Sequence, residues 1–240
     1  MATSELKEYI AGDTTLEAFI ARPAAGQGPH PAVLIAHDWS GRRAFACEKA
    51  EYFAERGFVG IAIDFYGKGI FGADGDVERN SSLMTPLVED RQLIRDRAQA
   101  ALQMAKALDG VDDGRVAAIG FCFGGMCVLE LARSGAQFNG AISVHGLLGQ
   151  GDGVKTETVS SSVLCLHGND DPMVPPEQVS AFQQEMSDSG ADWQMHIYGG
   201  TMHAFTNPAA NNPDFGTVYN QCAEARAMAS IDRFLEEVLA

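Results

Sequence analysis

The chain has 240 residues, of which 46% are hydrophobic and 20% are charged, and its formal net charge is −15. This length suits one large domain or two small ones. The negative charge argues against nucleic acid or an anionic membrane as the main partner. No run approaches the roughly 18 apolar residues that a membrane span needs, and the start lacks the pattern of a signal peptide. We therefore expect a cytoplasmic protein, and a monomer because no heptad or apolar stripe marks an interface.

The predicted elements alternate along the chain between apolar, strand-like runs and segments with helical periodicity. The predicted strands are Leu16–Ala21, Pro31–His37, Phe58–Phe65, Arg115–Phe121, Gly140–Gly146, Ser162–Gly168 and Trp193–Gly200. The predicted helices are Ala44–Glu55, Leu87–Leu108, Gly125–Ser134, Glu177–Ser189 and Tyr219–Leu239. This alternation predicts an α/β fold in one domain, residues 1–240, with a mostly parallel sheet flanked by helices. The loops Gly67–Asp76 and Asn207–Gly216 are too short to form a cap domain.

The five cysteines are scattered, with neither a CxxC pair nor a zinc-type cluster. Four of them are expected to be small hydrophobic residues of the core: Cys47, Cys127, Cys165 and Cys222. The fifth, Cys122, stands in a different context, between a predicted strand and a predicted helix.

Residues 120–125, with the sequence GFCFGG, have the spacing of the G-x-S-x-G nucleophile elbow, with cysteine in place of serine. Such a turn strains the backbone of the central residue and leaves room only for very small neighbours, which the glycines provide. A helix N-terminus behind Cys122 favours a thiolate over a thiol. We predict that Cys122 is a nucleophile. The alternative is a structural cysteine, with glycines that only allow the strand and the helix to pack closely.

A cysteine nucleophile with an ordinary pKa of about 8.5 needs a base or a favourable field at neutral pH. His203 lies in a glycine-preceded loop after the last predicted strand, from which its imidazole can reach the nucleophile. Three other histidines, His37, His145 and His167, also stand at strand ends. Their expected role is a hydrogen bond to loop backbone.

The acid that orients His203 is expected after the preceding strand. Asp171 stands there, directly before Pro172, and Asp170 is the alternative. The resulting order of nucleophile, acid and histidine is that of α/β-hydrolases. Class I glutamine amidotransferases also hold a cysteine on a tight turn, but they carry a glutamate two residues after the histidine. Phe205 occupies that position here, so the amidotransferase interpretation is disfavoured.

Ester hydrolysis passes through an oxyanion that backbone N–H groups must stabilise. One donor is expected to be the N–H of Phe123, directly after the nucleophile. The second is expected in the loop HDWSG, residues 37–41, where Trp39 is the candidate. Asp38 would place a carboxylate beside this anion. Its alternative role is that of a helix-capping or loop residue.

Four motifs together resemble the dienelactone hydrolase family over nearly the whole chain, from about Leu16 to Leu239. They are GFCFGG around Cys122, GNDDPMVP around Asp171, MHAF around His203 and the acidic residue in HDW. The resemblance implies hydrolysis of a small ester or lactone through a cysteine thioester, with neither metal nor organic cofactor. The sequence leaves open a general carboxylesterase, or a ligand-binding homologue without turnover.

The resemblance also implies two further roles. In the family, a glutamate at the position of Asp38 helps to activate the cysteine; Asp38 is one methylene shorter. The family binds a substrate carboxylate with an arginine from the region after the fourth strand. Arg79 is the candidate for that arginine, and Arg91 is the alternative.

Overall fold

The computed structural model describes residues 3–24, 28–73 and 75–240. Its main sheet contains β1 (Thr3–Ala11), β2 (Thr14–Arg22), β3 (His30–Ala36), β4 (Val59–Ile63), β5 (Val111–Phe121), β6 (Gly140–Val144), β7 (Ser162–Gly168) and β8 (Trp193–Tyr198). The helices are α1 (Ala44–Glu55), α2 (Val77–Glu89), α3 (Arg91–Lys106), α4 (Phe123–Arg133), α5 (Pro176–Asp188) and α6 (Gln221–Val238). A short antiparallel pair, β9 (Asn211–Asn212) and β10 (Thr217–Val218), precedes α6.

The strands of the main sheet lie in the order β1-β2-β4-β3-β5-β6-β7-β8. Six neighbouring strands are parallel to one another: β4, β3, β5, β6, β7 and β8. Strand β2 runs antiparallel to both β1 and β4. Every residue of β4 and β6 is buried, as expected for strands covered on both faces. Helices α1 and α6 pack on one face, and α2 to α5 on the other. The predicted α/β fold with a mostly parallel sheet is confirmed. The carboxyl ends of the parallel strands share one edge, where such sheets hold their ligands.

The prediction was wrong in three places. Of the four cysteines expected in the core, Cys222 is exposed on α6 and Cys47 is only half-buried, because both face outward from their helices. Strand β1 was not predicted, because it is an edge strand whose first six residues are all exposed and several of them charged, so its pattern lacks a buried face. The single predicted helix at 87–108 is two helices. The backbone leaves the helical region at Asp90, whose carboxylate caps α3 by accepting the Leu93 N–H. The first of them, α2, begins at Val77. Its start was not predicted because its sequence is polar and contains Pro86, so it lacks an apolar helical pattern.

The far end of α4 is fixed by buried charges. Glu130 and Arg133 are both fully buried, with Arg133 Nη1 3.1 Å from Glu130 Oε1. Arg95 of α3 binds the other Glu130 oxygen at 2.8 Å, and Arg133 binds Glu185 of α5 through two nitrogens at 2.8 Å each. Helix α4 is therefore joined to both neighbouring helices by charge-assisted hydrogen bonds.

Candidate active site

Cys122 stands between the last residue of β5 and the first residue of α4, and its backbone lies at φ 57° and ψ −119°. This region is costly for a residue with a side chain, by about 1–3 kcal/mol, and such strain clusters at functional sites. The Cys122 N–H is shared between the Val144 carbonyl and His145 Nδ1, each at 3.1 Å. The side chain is half-buried. The predicted turn is therefore present, with the sulfur partly open to solvent.

Close packing around this turn requires its glycines. A Cβ atom on Gly120 would lie 1.9 Å from the Gly124 carbonyl oxygen, and one on Gly124 would lie 2.2 Å from the Ala36 carbonyl oxygen. One on Gly125 would lie 2.7 Å from Ser143 Oγ. The first turn of α4 thus rests directly on the end of β3, which brings Phe123 near the loop that holds Trp39.

We expect Gly124→Ala to destabilise the protein by about 3 kcal/mol, because the added methyl forces the helix away from β3 backbone that cannot yield. Urea denaturation measures the change in the free energy of unfolding. Gly199→Ala is the matched control, since a Cβ there meets nothing within 4 Å. Equal unfolding midpoints for the two variants would contradict the packing argument.

His203 and Asp171 form a buried pair. The Nδ1 atom of His203 lies 2.7 Å from Asp171 Oδ2, and both side chains are almost completely shielded from solvent. The Met173 N–H donates to the other carboxylate oxygen of Asp171. Gly216 and Val218 fix the backbone of His203, whose N–H binds the Gly216 carbonyl at 2.9 Å and whose carbonyl accepts from Val218. The imidazole is therefore held in one orientation, with Nε2 directed away from the acid.

The environment of His203 favours its protonated form. Burial lowers the pKa of the imidazole, but its interactions with Cys122 and Asp171 outweigh burial and raise that pKa to about 10. Nε2 is buried and has no partner in good hydrogen-bond geometry among the described residues. We infer that Nε2 and the Cys122 sulfur are neighbours whose hydrogen bond is loose in the free protein, as catalytic hydrogen bonds often are.

The predicted oxyanion donors are the backbone N–H groups of Trp39, in the loop after β3, and of Phe123, which directly follows Cys122. Neither N–H has an acceptor among the residues that the structure describes. The Trp39 carbonyl is fixed by the Tyr66 hydroxyl at 2.9 Å, and the Tyr66 ring stacks on Phe123 at 5.7 Å between centroids. Burial raises the pKa of Tyr66, which keeps the phenol protonated as a donor. His37 supports the same loop by donating from Nδ1 to the Asp38 carbonyl at 2.6 Å while Nε2 accepts the Phe65 N–H. The two free N–H groups suit an oxyanion.

The structure also locates the other candidate residues. The Asp38 carboxylate accepts from the N–H and the hydroxyl of Ser40, at 2.7 and 2.6 Å, which is the loop role considered above. Arg79 is exposed in the first turn of α2, and among the described residues no contact joins its guanidinium to Cys122. Arg91 is buried, with Nη1 3.6 Å from Glu130 Oε1. Asp170 is exposed and accepts from the Asn169 amide, so Asp171 alone of the two pairs with His203.

Two further properties concern the described part of the chain as a whole. Within it, no cluster of three or more histidine, cysteine, aspartate or glutamate side chains is arranged to bind a metal ion. None of its helices combines the length and apolar character that a membrane crossing requires.

The sheet order, the strained cysteine between β5 and α4 and the buried Asp–His pair define an α/β hydrolase. The chain belongs to the dienelactone hydrolase family, whose sequence model matches residues 16–239. The structure named m3DLH is 32% identical with a TM-score of 0.93, covering 100% of this chain and 99% of its own. The dienelactone hydrolase-like promiscuous phosphotriesterase P91 from metagenomic libraries is 34% identical with a TM-score of 0.90 and the same coverage. An Aquifex aeolicus protein named "Putative carboxymethylenebutenolidase" is 27% identical over 85% of this chain and 87% of its own.

Proposed function

We propose that this protein hydrolyses small carboxylic esters or lactones through a thioester on Cys122, with His203 and Asp171 completing a catalytic triad. Membership of the dienelactone hydrolase family supports hydrolase activity on such substrates. The observation that carries the mechanism is the buried His203–Asp171 pair, with His203 Nδ1 2.7 Å from Asp171 Oδ2 and an environment that favours the protonated imidazole. In the proposed pair, the Cys122 thiolate is the nucleophile and the His203 imidazolium is the acid that acyl transfer requires.

In the first half of the reaction, the Cys122 thiolate attacks the carbonyl carbon, and the electron pair of the C=O bond moves onto oxygen. The N–H groups of Trp39 and Phe123 bind this oxyanion. When the oxyanion collapses, the bond to the leaving alcohol breaks, and the imidazolium of His203 gives its proton to that oxygen. A thioester on Cys122 remains. In a lactone the leaving alcohol stays attached to the acyl group.

In the second half, neutral His203 takes a proton from water as the water oxygen attacks the thioester carbonyl. The C–S bond then breaks, which releases a carboxylic acid and restores the thiolate beside the imidazolium. Throughout, Asp171 accepts the Nδ1–H of His203 and so keeps Nε2 facing the reacting atoms.

The proposal is tested by trapping the acyl-enzyme. The protein is mixed with p-nitrophenyl acetate, quenched in acid and digested with a protease. Mass spectrometry then gives the mass of the peptide that contains Cys122. We expect a burst of p-nitrophenol and one acetyl group on this peptide, labile to hydroxylamine. Acetyl on another residue, or steady release of p-nitrophenol with no acetylated intermediate, contradicts the thioester. Reactive Cys122 and saturable ligand binding without product would instead support the binding homologue.

An aromatic stack marks the mouth of the site and predicts which substrates fit. The Phe215 ring is 44% exposed and stacks on the Trp39 indole, with ring centroids 6.0 Å apart. Phe215 immediately precedes Gly216, whose carbonyl binds the His203 N–H and whose α-carbon packs tightly against Pro172. The ring is therefore held between the proposed base and a proposed oxyanion donor, where a flat apolar group of a substrate can cover it.

We expect Phe215→Ala to raise KM for p-nitrophenyl benzoate about fivefold, because roughly 40 Å² of apolar contact is worth about 1 kcal/mol. KM for p-nitrophenyl acetate should change by less than about twofold, since an acetyl group buries little of that area. Steady-state kinetics of both esters measure the effect. Ile10→Ala, an exposed apolar residue on β1 at the edge of the sheet, is the control. An equal change for both esters would show that the ring does not contact the acyl group.

Several earlier expectations stay predictions. They are activation of Cys122 by Asp38, substrate contact by Arg79, a single domain over residues 1–240, a monomeric state and a cytoplasmic location. The choice between a lactone and a simple ester belongs with them, and a dienelactone assayed beside p-nitrophenyl acetate decides it.

A further inference from the structure

His145 is a buried histidine that the proposed reaction does not use. It follows β6 directly and its backbone lies at φ 39°, in the left-handed region that few residues other than glycine adopt. Only 3% of its surface is exposed. Its ring lies 5.2 Å from the ring of His203, between centroids, and is packed against Phe205 at 5.1 Å. A second imidazole so close to the proposed base needs an explanation.

Both ring nitrogens of His145 have partners on segments of the candidate site. Nδ1 accepts the backbone N–H of Cys122 at 3.1 Å, and Nε2 lies 2.8 Å from Thr206 Oγ1. Cys122 is the proposed nucleophile, and Thr206 lies in the same loop as His203. The ring thus connects the turn between β5 and α4, at Cys122, with the loop between β8 and α6, at Thr206.

These partners fix the protonation state of the ring. An N–H donor faces Nδ1, so Nδ1 cannot carry a proton, and the single proton of the ring is on Nε2 and donates to the Thr206 hydroxyl. Burial, the charge of His203 and the charge of Lys49 all lower the pKa of His145, in the same direction. A neutral ring adds no positive charge beside the imidazolium of His203.

We propose that His145 is a positioning residue, whose neutral imidazole ties the backbone of Cys122 to the loop of His203 and so sets the distance between nucleophile and base. The inference rests on the proposed function for the roles of those two residues. Misplacement of reacting groups by about 1 Å can cost 10²-fold in rate. A tie between the two loops therefore matters even though His145 does not touch the substrate.

Thr206→Val and His145→Asn each break the tie at the same hydrogen bond, the one between His145 Nε2 and Thr206 Oγ1, from its two sides. Valine keeps the shape of threonine without the acceptor. Asparagine tolerates a positive φ and retains an oxygen for the Cys122 N–H, but it is too short to reach Thr206. We expect each variant to lower kcat for p-nitrophenyl acetate about tenfold with KM within about twofold, and to slow alkylation of Cys122 by iodoacetamide at pH 7. Thr206→Ser should restore both rates.

The double variant is the decisive measurement. If the two residues act as one tie, Thr206→Val combined with His145→Asn is no slower than either single variant. His196→Asn is the control, because His196 also contacts a hydroxyl, that of Ser230 through its Nδ1, and lies on β8 apart from the proposed triad. Single variants within twofold of the native protein, or losses that multiply in the double variant, overturn the proposal.

Alkylation separates this inference from the proposed function. Should the native protein cleave no ester while iodoacetamide shows the expected pattern at Cys122, the proposed function fails and the positioning role stands. If the native protein cleaves esters through Cys122 but the His145 and Thr206 variants keep native rates, the positioning role fails and the proposed function stands. A native Cys122 that is inert to both reagents overturns the two together.

Discussion

We expect Cys122→Ala to lower kcat for p-nitrophenyl acetate by a factor on the order of 10⁴ or more, because no other group can form the acyl-enzyme. The residual rate should come from the Trp39 and Phe123 N–H groups, which stabilise the oxyanion formed by direct attack of water. Steady-state assays with stopped-flow detection of the burst measure both quantities. The fold should persist, since alanine removes only a half-buried sulfur.

Two further variants sharpen this result. Cys122→Ser keeps a nucleophilic atom but lacks thiolate character, and we expect it to be much slower than the native protein and faster than Cys122→Ala. Cys222→Ala removes an exposed thiol on α6 and serves as the control for nonspecific thiol chemistry. Native turnover by Cys122→Ala would exclude the thioester route.

We expect Asp171→Asn to lower kcat/KM by roughly 10² to 10⁴, because the amide no longer stabilises the imidazolium and can turn its NH₂ group toward Nδ1. The amide then selects the tautomer with a proton on Nε2, which cannot act as a base toward water. Asp170→Asn is the matched control, since that neighbouring carboxylate is exposed and does not contact His203. Similar kinetics for the two variants would remove Asp171 from the triad.

The pH profile carries a second signature of Asp171. Since the pKa of His203 is about 10, the imidazolium that protonates the leaving alcohol is lost above that pH, and kcat/KM should fall there in the native protein. Asp171 contributes to the raised pKa, so Asp171→Asn should move this alkaline limb to lower pH. An unmoved limb would assign it to another group.

The same proton also stabilises the fold. His203 binds it more tightly in the folded than in the unfolded protein, because the pKa is raised from 6.5 to about 10. This contribution is fully present below pH 6.5 and is lost as the pH rises through about 10. Circular dichroism at each pH therefore accompanies the kinetics, so that lost activity is not confused with unfolding.

The elements that could be predicted were those with a local signal. The apolar strands of the sheet interior and helix α1 were predicted because burial on both faces, or on one helical stripe, is visible in a short window. Strand β1 and helix α2 carry no such signal. Strand β1 is stabilised by pairing with β2, and α2 by the cap that Asp76 provides to the Arg79 N–H, neither of which depends on apolar periodicity.

The candidate site divides in the same way. The turn at Cys122 could be predicted because its glycines are adjacent in sequence, and the pairing of Asp171 with His203 because chain order restricts the choice. The tie through His145 could not, since Thr206 is 61 residues away and meets it only after β6, β7 and β8 have packed. The surroundings of Arg79 were equally inaccessible, because the course of the loop before α2 determines where that side chain lies.

The buried charges at the end of α4 also limit how this protein can change over evolutionary time. Glu130 is the common anion of three guanidinium groups, those of Arg91, Arg95 and Arg133. Loss of Glu130 alone would leave these like charges to repel one another. Breaking a buried ion pair in this manner costs about 3–5 kcal/mol. Substitutions of these charged residues should therefore occur together among related proteins. The end of α4 should change together with α3, and not with changes in the substrate.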